Sequence, residues 1–281
     1  MEELLLTFEN ISSTSRSLIL ISGITFFWII EGFIPLRNLS YNKWKHSIPN
    51  FFFTLTTVLV NFIFAFLLVY ASDWAFKNEF GVLNYIELNI ILKIIIGLLI
   101  LDLIGAYLSH LFQHQIKPLW YIHSVHHTDH NVDTTTANRH HPIESVIRFV
   151  FTFLAIIISG APIGLVLMYQ SISVIFSQFN HANISLPTRV DKMISYIIVS
   201  PDMHKVHHHF ELPHTDSNYG NIFSIWDRIF GTSIKVDDLD DLQYGLDTHM
   251  NKKETSNIKT MLLIPFGEYR PPVGSKFGKN D

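Results

Sequence analysis

The chain of 281 residues is 48% hydrophobic and only 16% charged, and its mean hydropathy of +0.26 is typical of a protein that lies partly in lipid. The formal net charge of -4 argues against a nucleic-acid partner, because binding to a polyanion would need a basic face. The absence of cysteine excludes disulfides, thiolate zinc sites and thiolate-held iron–sulfur clusters, so any metal ion must bind His, Asp or Glu.

Three apolar stretches near the start of the chain have the length of membrane spans. They cover residues 17–35, 49–70 and 90–108, and each is close to the roughly 20 residues that a helix needs to cross a bilayer. A buried soluble core would explain one such run but not three so close together. The first residues, MEELLLTFENISSTSRSLIL, lack the basic segment of a secretory signal, so we predict no cleaved peptide. A fourth stretch, residues 146–176, is interrupted by SGAPIG at 159–164, which predicts two shorter helices in a shallow hairpin.

The charges of the loops predict the orientation in the membrane. The loop after the first span is basic and contains Arg37, Lys43 and Lys45. The loop after the second span has mixed charge, with the acidic residues Asp73, Glu79 and Glu87 and the basic residues Lys77 and Lys93. Under the positive-inside rule the 36–48 loop is cytoplasmic and the N-terminus is outside. The third span then returns the chain to the cytoplasm, so everything after about residue 109 is expected on that side.

These features predict an all-α integral membrane helical bundle of about three spans plus a broken hairpin, with a cytoplasmic histidine-rich cap that holds two metal ions. We expect residues 1–235 to form a single membrane-embedded domain, with the histidine-rich catalytic part at 95–232. Residues 236–281 turn polar, with KVDDLDD and GSKFGKND, and are predicted to be a solvated cytoplasmic tail.

Histidine clustering is the main functional signal, since 14 of the 16 histidines lie between residues 110 and 214. HLFQH contains a pair at helical i, i+4 spacing, which brings two rings to one helix face. HSVHH and HKVHH each contain a triplet at i, i+3 and i+4. A lone pair at this spacing arises by chance, but eight imidazoles exceed what one ion accepts, so we predict two metal ions. The eight are His110, His114, His123, His126, His127, His204, His207 and His208.

The remaining polar residues divide into further candidates and surroundings. His181, in FNHANI, is predicted to be a ninth ligand, and His141, in RHHPIE, either a ligand or the first residue of a helix. We expect His130, His140, His209 and His214 to lie around the ligands or in solvent, and His46 and His249 on the surface. Carboxylates that could accept the other ring N–H of a ligand are Asp129, Asp133, Glu144, Asp202 and Asp216. Asp102, inside the third span, predicts either a functional group or a polar contact between helices.

Ligands that are all imidazoles do not identify the metal, because imidazole suits iron, zinc, copper and nickel. The location is more informative: a metal centre beside a bilayer suggests a hydrophobic substrate that enters from the lipid, and oxidation of an aliphatic C–H bond needs a metal–oxygen oxidant. A zinc-bound membrane hydrolase or a non-redox metal-binding protein stays open as an alternative. A haem protein would place its histidines across facing helices inside the bilayer, which the triplets do not match.

The motifs HLFQH, HSVHH, RHHPIE, NH at 180–181, and PDMHKVHH through TDSNYGNIFSIWDRIFGT resemble the fatty acid hydroxylase superfamily, also called the sterol desaturase family, in its bacterial-type branch. The resemblance covers about residues 95–232, in order and spacing. It departs from the common pattern at Leu111, where many members have Arg, and at His209, which extends the last cluster. These departures affect the surroundings of the ligands and the substrate subgroup, not the ligands.

The resemblance implies a membrane-bound, O2-dependent di-iron enzyme that hydroxylates or desaturates a fatty acyl, sterol or alkyl-ether lipid. It implies the same eight histidines as the metal set and His181 as an additional ligand, and it places His141 in a motif that the family shares. Two iron ions are the implied cofactors, with zinc as a possible substitute. Electrons would come from a separate donor, either cytochrome b5-like or a ferredoxin- or rubredoxin-type protein with its reductase, at a bacterial inner membrane. Residues of the closing motif, Asn218, Tyr219, Trp226, Asp227 and Arg228, are expected to fold the C-terminal segment back over the site.

Overall fold

A computed structural model describes residues 1–236, 239 and 242–278, and in these residues all regular elements are helical. The α-helices are α1 (Glu2–Glu9), α2 (Ser13–Ile30), α3 (Lys43–Lys77), α4 (Val82–Tyr85), α5 (Ile90–Asp102), α6 (Ser109–Gln115), α7 (Lys117–His127), α8 (Pro142–Ser159), α9 (Ile163–His181), α10 (Thr188–Ile194), α11 (Pro201–His207), α12 (Ile225–Ile229), α13 (Lys252–Thr255) and α14 (Ile258–Leu263). The predicted all-α fold class is confirmed.

In the described part of the chain, five helical segments are long and apolar enough to cross a membrane. They are Ser13–Ile30, Lys43–Tyr85, Ile90–Gln115, Pro142–Ser159 and Ile163–His181. Large apolar side chains stay exposed along them, and Phe62 and Phe66 of α3 are 75% and 65% exposed. Such an exposed apolar face is costly in water and suited to lipid. The chain is an integral membrane helical protein, as the sequence predicts.

The predicted break in the fourth apolar stretch is present, and it separates α8 from α9. Gly160 ends α8 with a φ of +68°, a left-handed conformation that favours glycine. A Cβ placed at Gly81 would lie 2.3 Å from the backbone nitrogen of Gly160. The two loops therefore meet backbone to backbone, and they join α3 to α8 at the end of the bundle far from the histidine clusters.

The third span contains a π-helical turn, Leu103–Leu108, between α5 and α6. Such turns widen a helix and often occur at functional sites. Asp102 immediately precedes it and accepts hydrogen bonds from Trp226 Nε1 at 3.0 Å and from the Phe223 backbone at 3.2 Å. Of the two predicted roles for Asp102, the structure therefore shows the polar contact, which fixes the closing segment against the third span.

The loop between α2 and α3 lies at the same end of the bundle as the histidine clusters. His46, predicted to be a surface residue, has a side chain only 11% exposed because its ring lies between Asp129 and Asp133, at 2.8 and 3.1 Å. His249, also predicted on the surface, is buried. Both predictions are wrong, since distant parts of the chain cover these rings.

The C-terminal segment, predicted to be a solvated tail, packs against the histidine-rich part instead. In its described residues, Leu242, Tyr244 and Leu246 are buried, and Met261 packs with Phe53 and Val125. A few apolar residues spaced along a polar sequence are enough to hold the segment down. The predicted separation of residues 236–281 as a solvated unit therefore does not describe this part of the chain; positions 237–238, 240–241 and 279–281 lie outside the described residues.

Candidate metal centre

Nine buried histidines form two groups in which the ligand atoms lie within 4.8 Å of one another. The five-histidine group contains His110, His114, His123, His127 and His207, and the four-histidine group contains His126, His181, His204 and His208. The eight predicted ligands and His181 are all present. Each of the nine is at most 8% exposed, so the two groups are shielded from bulk water.

The two HxxHH triplets do not bind as units but cross between the groups. In α7 the outer residues His123 and His127 join the five-histidine group, whereas the middle residue His126 joins the four-histidine group. At α11 the pattern is reversed, because His207 joins the five-histidine group and its two neighbours in the triplet join the other. This exchange places the two groups side by side, with the rings of His127 and His208 only 4.8 Å apart between their centroids.

Hydrogen bonds at Nδ1 fix four of the five rings of the five-histidine group. His123 Nδ1 lies 2.8 Å from Glu144 Oε1, and His114 Nδ1 lies 3.1 Å from Asp216 Oδ1. His110 and His207 have Nδ1 at 2.9 and 2.6 Å from the backbone carbonyls of Tyr219 and Ser217. Because carbonyls and carboxylates only accept, Nδ1 must donate and Nε2 carries the lone pair.

The four-histidine group is centred on His181. Its Nδ1 donates to the Ser177 carbonyl at 2.7 Å, so its Nε2 carries a lone pair. Three more Nε2 atoms lie close to that nitrogen, those of His204 at 3.1 Å and of His126 and His208 at 3.2 Å. Nitrogens about 2.1 Å from one ion lie roughly 3.0 to 3.4 Å apart at octahedral or tetrahedral angles. The spacing therefore fits a metal ion at the centre of the group.

Lone pairs that face each other without a proton between them are the second indication of a cation. His110 Nε2 and His123 Nε2 are 3.1 Å apart although both Nδ1 atoms already hold the ring proton. Within the described residues, His114 Nε2, His207 Nε2 and both nitrogens of His127 are buried without a hydrogen-bond partner. Buried nitrogens without partners are costly, and an ion between them would satisfy them.

Burial also keeps these rings neutral, which metal binding requires. Desolvation and the neighbouring His123 lower the pKa of His207 to about 3. Desolvation, followed by the neighbouring rings, holds the pKa of His126, His127, His204 and His208 well below the usual range. At neutral pH these side chains therefore offer lone pairs and do not compete with a cation.

The closing motif acts as predicted and lies over the five-histidine group. The Asp227 carboxylate accepts hydrogen bonds from the backbone nitrogens of Tyr219 and Gly220, at 2.7 and 3.0 Å. Asn218 adopts a φ of +52° and donates to the Met203 carbonyl at 3.0 Å. This turn aims the Ser217 and Tyr219 carbonyls at the rings of His207 and His110.

Among the carboxylates predicted to orient ligands, only Glu144 and Asp216 do so in the described residues. Asp129 and Asp133 bind His46 instead, and Asp202 Oδ1 has no hydrogen-bond partner in the described part of the chain. His140 is buried beside His126, with 5.1 Å between ring centroids, but stands outside both groups. The backbone carbonyls that orient the other rings have no sequence signal, because a backbone acceptor is the same at every residue.

His141 belongs to neither group, so its prediction as a metal ligand is not supported by the geometry. Its Nδ1 accepts from the Ile143 backbone nitrogen at 3.2 Å, which makes it the N-cap of α8. Its Nε2 lies 3.3 Å from the Leu262 carbonyl. In the HHP sequence, the second histidine, His141, therefore caps the start of α8, while the first, His140, lies beside His126 of the four-histidine group.

For His141→Ala we expect unchanged metal content and a loss of about 1 kcal/mol in the free energy of unfolding, as for other lost N-caps. Elemental analysis of the purified protein and thermal denaturation in detergent measure the two quantities. His141→Asn is the matched control, because asparagine is a good N-cap and should keep most of the stability. A loss of metal from both variants would show that His141 is a ligand after all.

Comparisons with known proteins agree with this centre. The sequence profile of the family described as fatty acid hydroxylase matches residues 94–232. The ornithine lipid hydroxylase of Rhizobium tropici is 26% identical over 140 residues, which are 50% of this chain and 41% of that protein. The alkylglycerol monooxygenase of Danio rerio is 32% identical over 149 residues, or 52% of this chain and 31% of that protein. The human alkylglycerol monooxygenase is 25% identical over 131 residues, 46% of this chain and 28% of that protein.

The chain spans less than half the length of these curated relatives, and no solved structure matches it. The matched residues 94–232 nevertheless contain all nine histidines of the two groups and the closing motif. Through this fatty acid hydroxylase domain the chain belongs to the fatty acid hydroxylase superfamily.

Proposed function

We propose that this protein is an O2-dependent lipid hydroxylase in which the two histidine groups each hold an iron ion. The observation that carries the proposal is the pair of adjoining, buried, all-imidazole groups at one end of a membrane bundle. The two relatives named as an ornithine lipid hydroxylase and an alkylglycerol monooxygenase support a lipid substrate and an oxygenase reaction. Desaturation is the related outcome that the experiment below separates from hydroxylation.

Two iron ions, when bound, would supply the activation of O2 and the attack on an unactivated C–H bond. The contribution of the chain is to hold and orient them. Glu144 and the Tyr219 carbonyl fix the rings of His123 and His110, and His181 presents its Nε2 to three further rings. Because every ligand is nearly inaccessible, water is kept from the reacting carbon.

A cavity of about 410 Å³ lies between the helices next to the centre and is the proposed substrate site. His140 lines it, and the same ring contacts His126 of the four-histidine group. Val58 and Phe62 of α3 also line it and are 43% and 75% exposed on the outer surface. A lipid could therefore enter the cavity laterally from the bilayer and reach the metal centre from its membrane side.

The centre is proposed to face the cytoplasm, where an electron donor would dock. The basic 36–48 loop lies at the histidine end, where Lys43 forms an ion pair with Glu31 and the Arg37 backbone binds Asn183. A positively charged loop on this side favours a cytoplasmic location. The donor, of cytochrome b5, ferredoxin or rubredoxin type, would then reach the covered histidines from the soluble side.

The test is to express the chain in membranes with iron, supply O2 and a reductase system, and compare lipid extracts by mass spectrometry. A gain of about 16 mass units indicates hydroxylation, and a loss of about 2 indicates desaturation. The matched control is a His126→Ala, His207→Ala double variant. Unchanged lipids in a metal-replete wild-type protein would reject the oxygenase and favour a zinc hydrolase.

A further inference from the structure

The cavity beside the metal centre has an unusual charge for a membrane interior. Its lining includes two arginines, Arg16 of α2 and Arg148 of α8, and no aspartate or glutamate among the described residues. Apart from the His140 imidazole, the rest of the polar lining consists of neutral hydroxyl and amide groups such as Asn61, Thr152 and Ser173. A cavity for a purely neutral hydrocarbon would have no need of two cations at this depth.

Arg148 stands out because its guanidinium forms no direct ion pair in the described residues, although its charge interacts at longer range with the Glu144 carboxylate. No described residue forms a hydrogen bond or an ion pair with its guanidinium, although it is only partly exposed. Glu144, one helical turn earlier on α8, directs its carboxylate to His123 and not to Arg148. Five N–H donors therefore remain available at the cavity wall.

Arg16 lines the same cavity from α2. Its Nη2 donates to Gln170 Oε1 at 3.2 Å, and no acidic side chain among the described residues lines the cavity. A single amide leaves most of its donors free as well. Two arginines that face one cavity match the planar, several-oxygen geometry of a carboxylate or phosphate.

We infer that this cavity binds a lipid through an anionic oxyacid headgroup, a carboxylate or a phosphate, paired with Arg148 and Arg16. This inference rests on the proposed function, since it names the class of substrate for the same site. The headgroup would lie between the two arginines, and its alkyl part would run along the apolar wall formed by Leu20, Phe62 and Leu68. Neutral lipids of the same chain length would lack the pairing and bind more weakly.

The test measures binding without turnover, using purified full-length, metal-loaded protein in a neutral detergent and no reductant. The probes are the fluorescent fatty acid cis-parinaric acid, at a pH where it is ionised, and its methyl ester. We expect the acid to bind at least about tenfold more tightly, which corresponds to about 1.4 kcal/mol. Arg148→Gln should bring the acid to the affinity of the ester, and Arg148→Lys should keep part of the preference. Arg189→Gln, at an exposed arginine, is the matched control and should change neither.

Equal affinity of the wild-type protein for acid and ester would overturn the inference, and so would an Arg148→Gln variant that weakens both probes alike. The second result would mean that Arg148 merely balances the charge of Glu144. Competition by oleate against lysophosphatidate then separates the two oxyacids, because the better-matched headgroup displaces the probe at the lower concentration. Binding preference without lipid oxidation would reject the proposed function alone, and oxidation without charge preference would reject this inference alone.

Discussion

Replacing His126 by alanine is expected to lower bound iron from about two atoms to about one per chain and to reduce lipid oxidation by at least about 100-fold. Even residues that only support a metal ligand cost 10- to 100-fold when removed, so loss of a ligand should cost more. His126 is one of four imidazoles in its group, and its removal leaves three around the position of that ion. The five-histidine group keeps all of its nitrogens.

The companion variant, His207→Ala, tests the crossing of the triplets. Although His207 belongs to the HKVHH triplet, its loss should weaken the five-histidine group, which keeps four rings, and should therefore release less metal than His126→Ala. Elemental analysis of detergent-purified protein gives both numbers. His214→Ala is the control, because that ring contacts His209 and lies in neither group. Equal loss of metal from the two ligand variants would contradict the unequal groups.

Helical spacing predicts two metal ions, and the structure has two histidine groups that could hold them, but the spacing does not predict how the histidines divide between the groups. The i, i+3 and i+4 pattern places three rings on one side of a helix, which predicts a triplet as a unit. The middle ring, however, is rotated about the helix axis by about 60° from the first ring and by about 100° from the last. Whether that offset sends it to a second ion depends on the helix packed opposite, and α7 and α11 lie far apart in sequence. Only the folded chain shows that His126 joins the outer histidines of the HKVHH triplet and that His207 joins the outer histidines of the HSVHH triplet.

Surroundings of the ligands were harder to predict than the ligands. Glu144 and Asp216 carry a sequence signal, because acidic residues near histidine motifs are candidates to orient them. The carbonyls of Ser177, Ser217 and Tyr219 do the same work without any side-chain signal. His46 was predicted on the surface for a related reason: the two aspartates that enclose it lie more than 80 residues away in the chain.

The C-terminal segment shows how a polar sequence can still be part of the folded core. Its composition predicts solvation, and most of its residues are indeed polar. Composition does not reveal that Arg139, in the loop before α8, has hydrogen-bond partners in this segment. The guanidinium is 1% exposed, and it donates to the Thr255 carbonyl at 2.7 Å and contacts Met261 Sδ at 3.0 Å. Contacts separated by more than 100 residues have no local signature.

Replacing Arg139 by alanine should therefore destabilise the protein by about 3 to 5 kcal/mol, the usual result of removing one partner from a buried charged network. The same side chain also donates to three groups near the metal centre, namely the Val125 carbonyl at 3.2 Å, Asn50 Oδ1 at 3.0 Å and Thr128 Oγ1 at 3.0 Å. Its loss leaves these acceptors buried and removes one of the two basic partners of Asp129, which lies 3.9 Å from the guanidinium and also binds His46. Thermal denaturation in detergent gives the stability, and limited proteolysis followed by mass spectrometry locates the released segment.

Arg270→Ala is the matched control, because Arg270 lies within the same C-terminal segment and forms an ion pair with Glu254 that is partly exposed to solvent. Exposed pairs contribute little, so its loss should cost no more than about 1 kcal/mol. If Arg139 is the anchor, cleavage within residues 242–278 should rise in Arg139→Ala and stay at the wild-type level in Arg270→Ala. Equal protease resistance in all three proteins would mean that the apolar contacts of Leu242, Leu246 and Met261 hold the segment by themselves. The burial of a full positive charge beside the histidines argues against that outcome, since an arginine is retained in such a place only where its donors have partners.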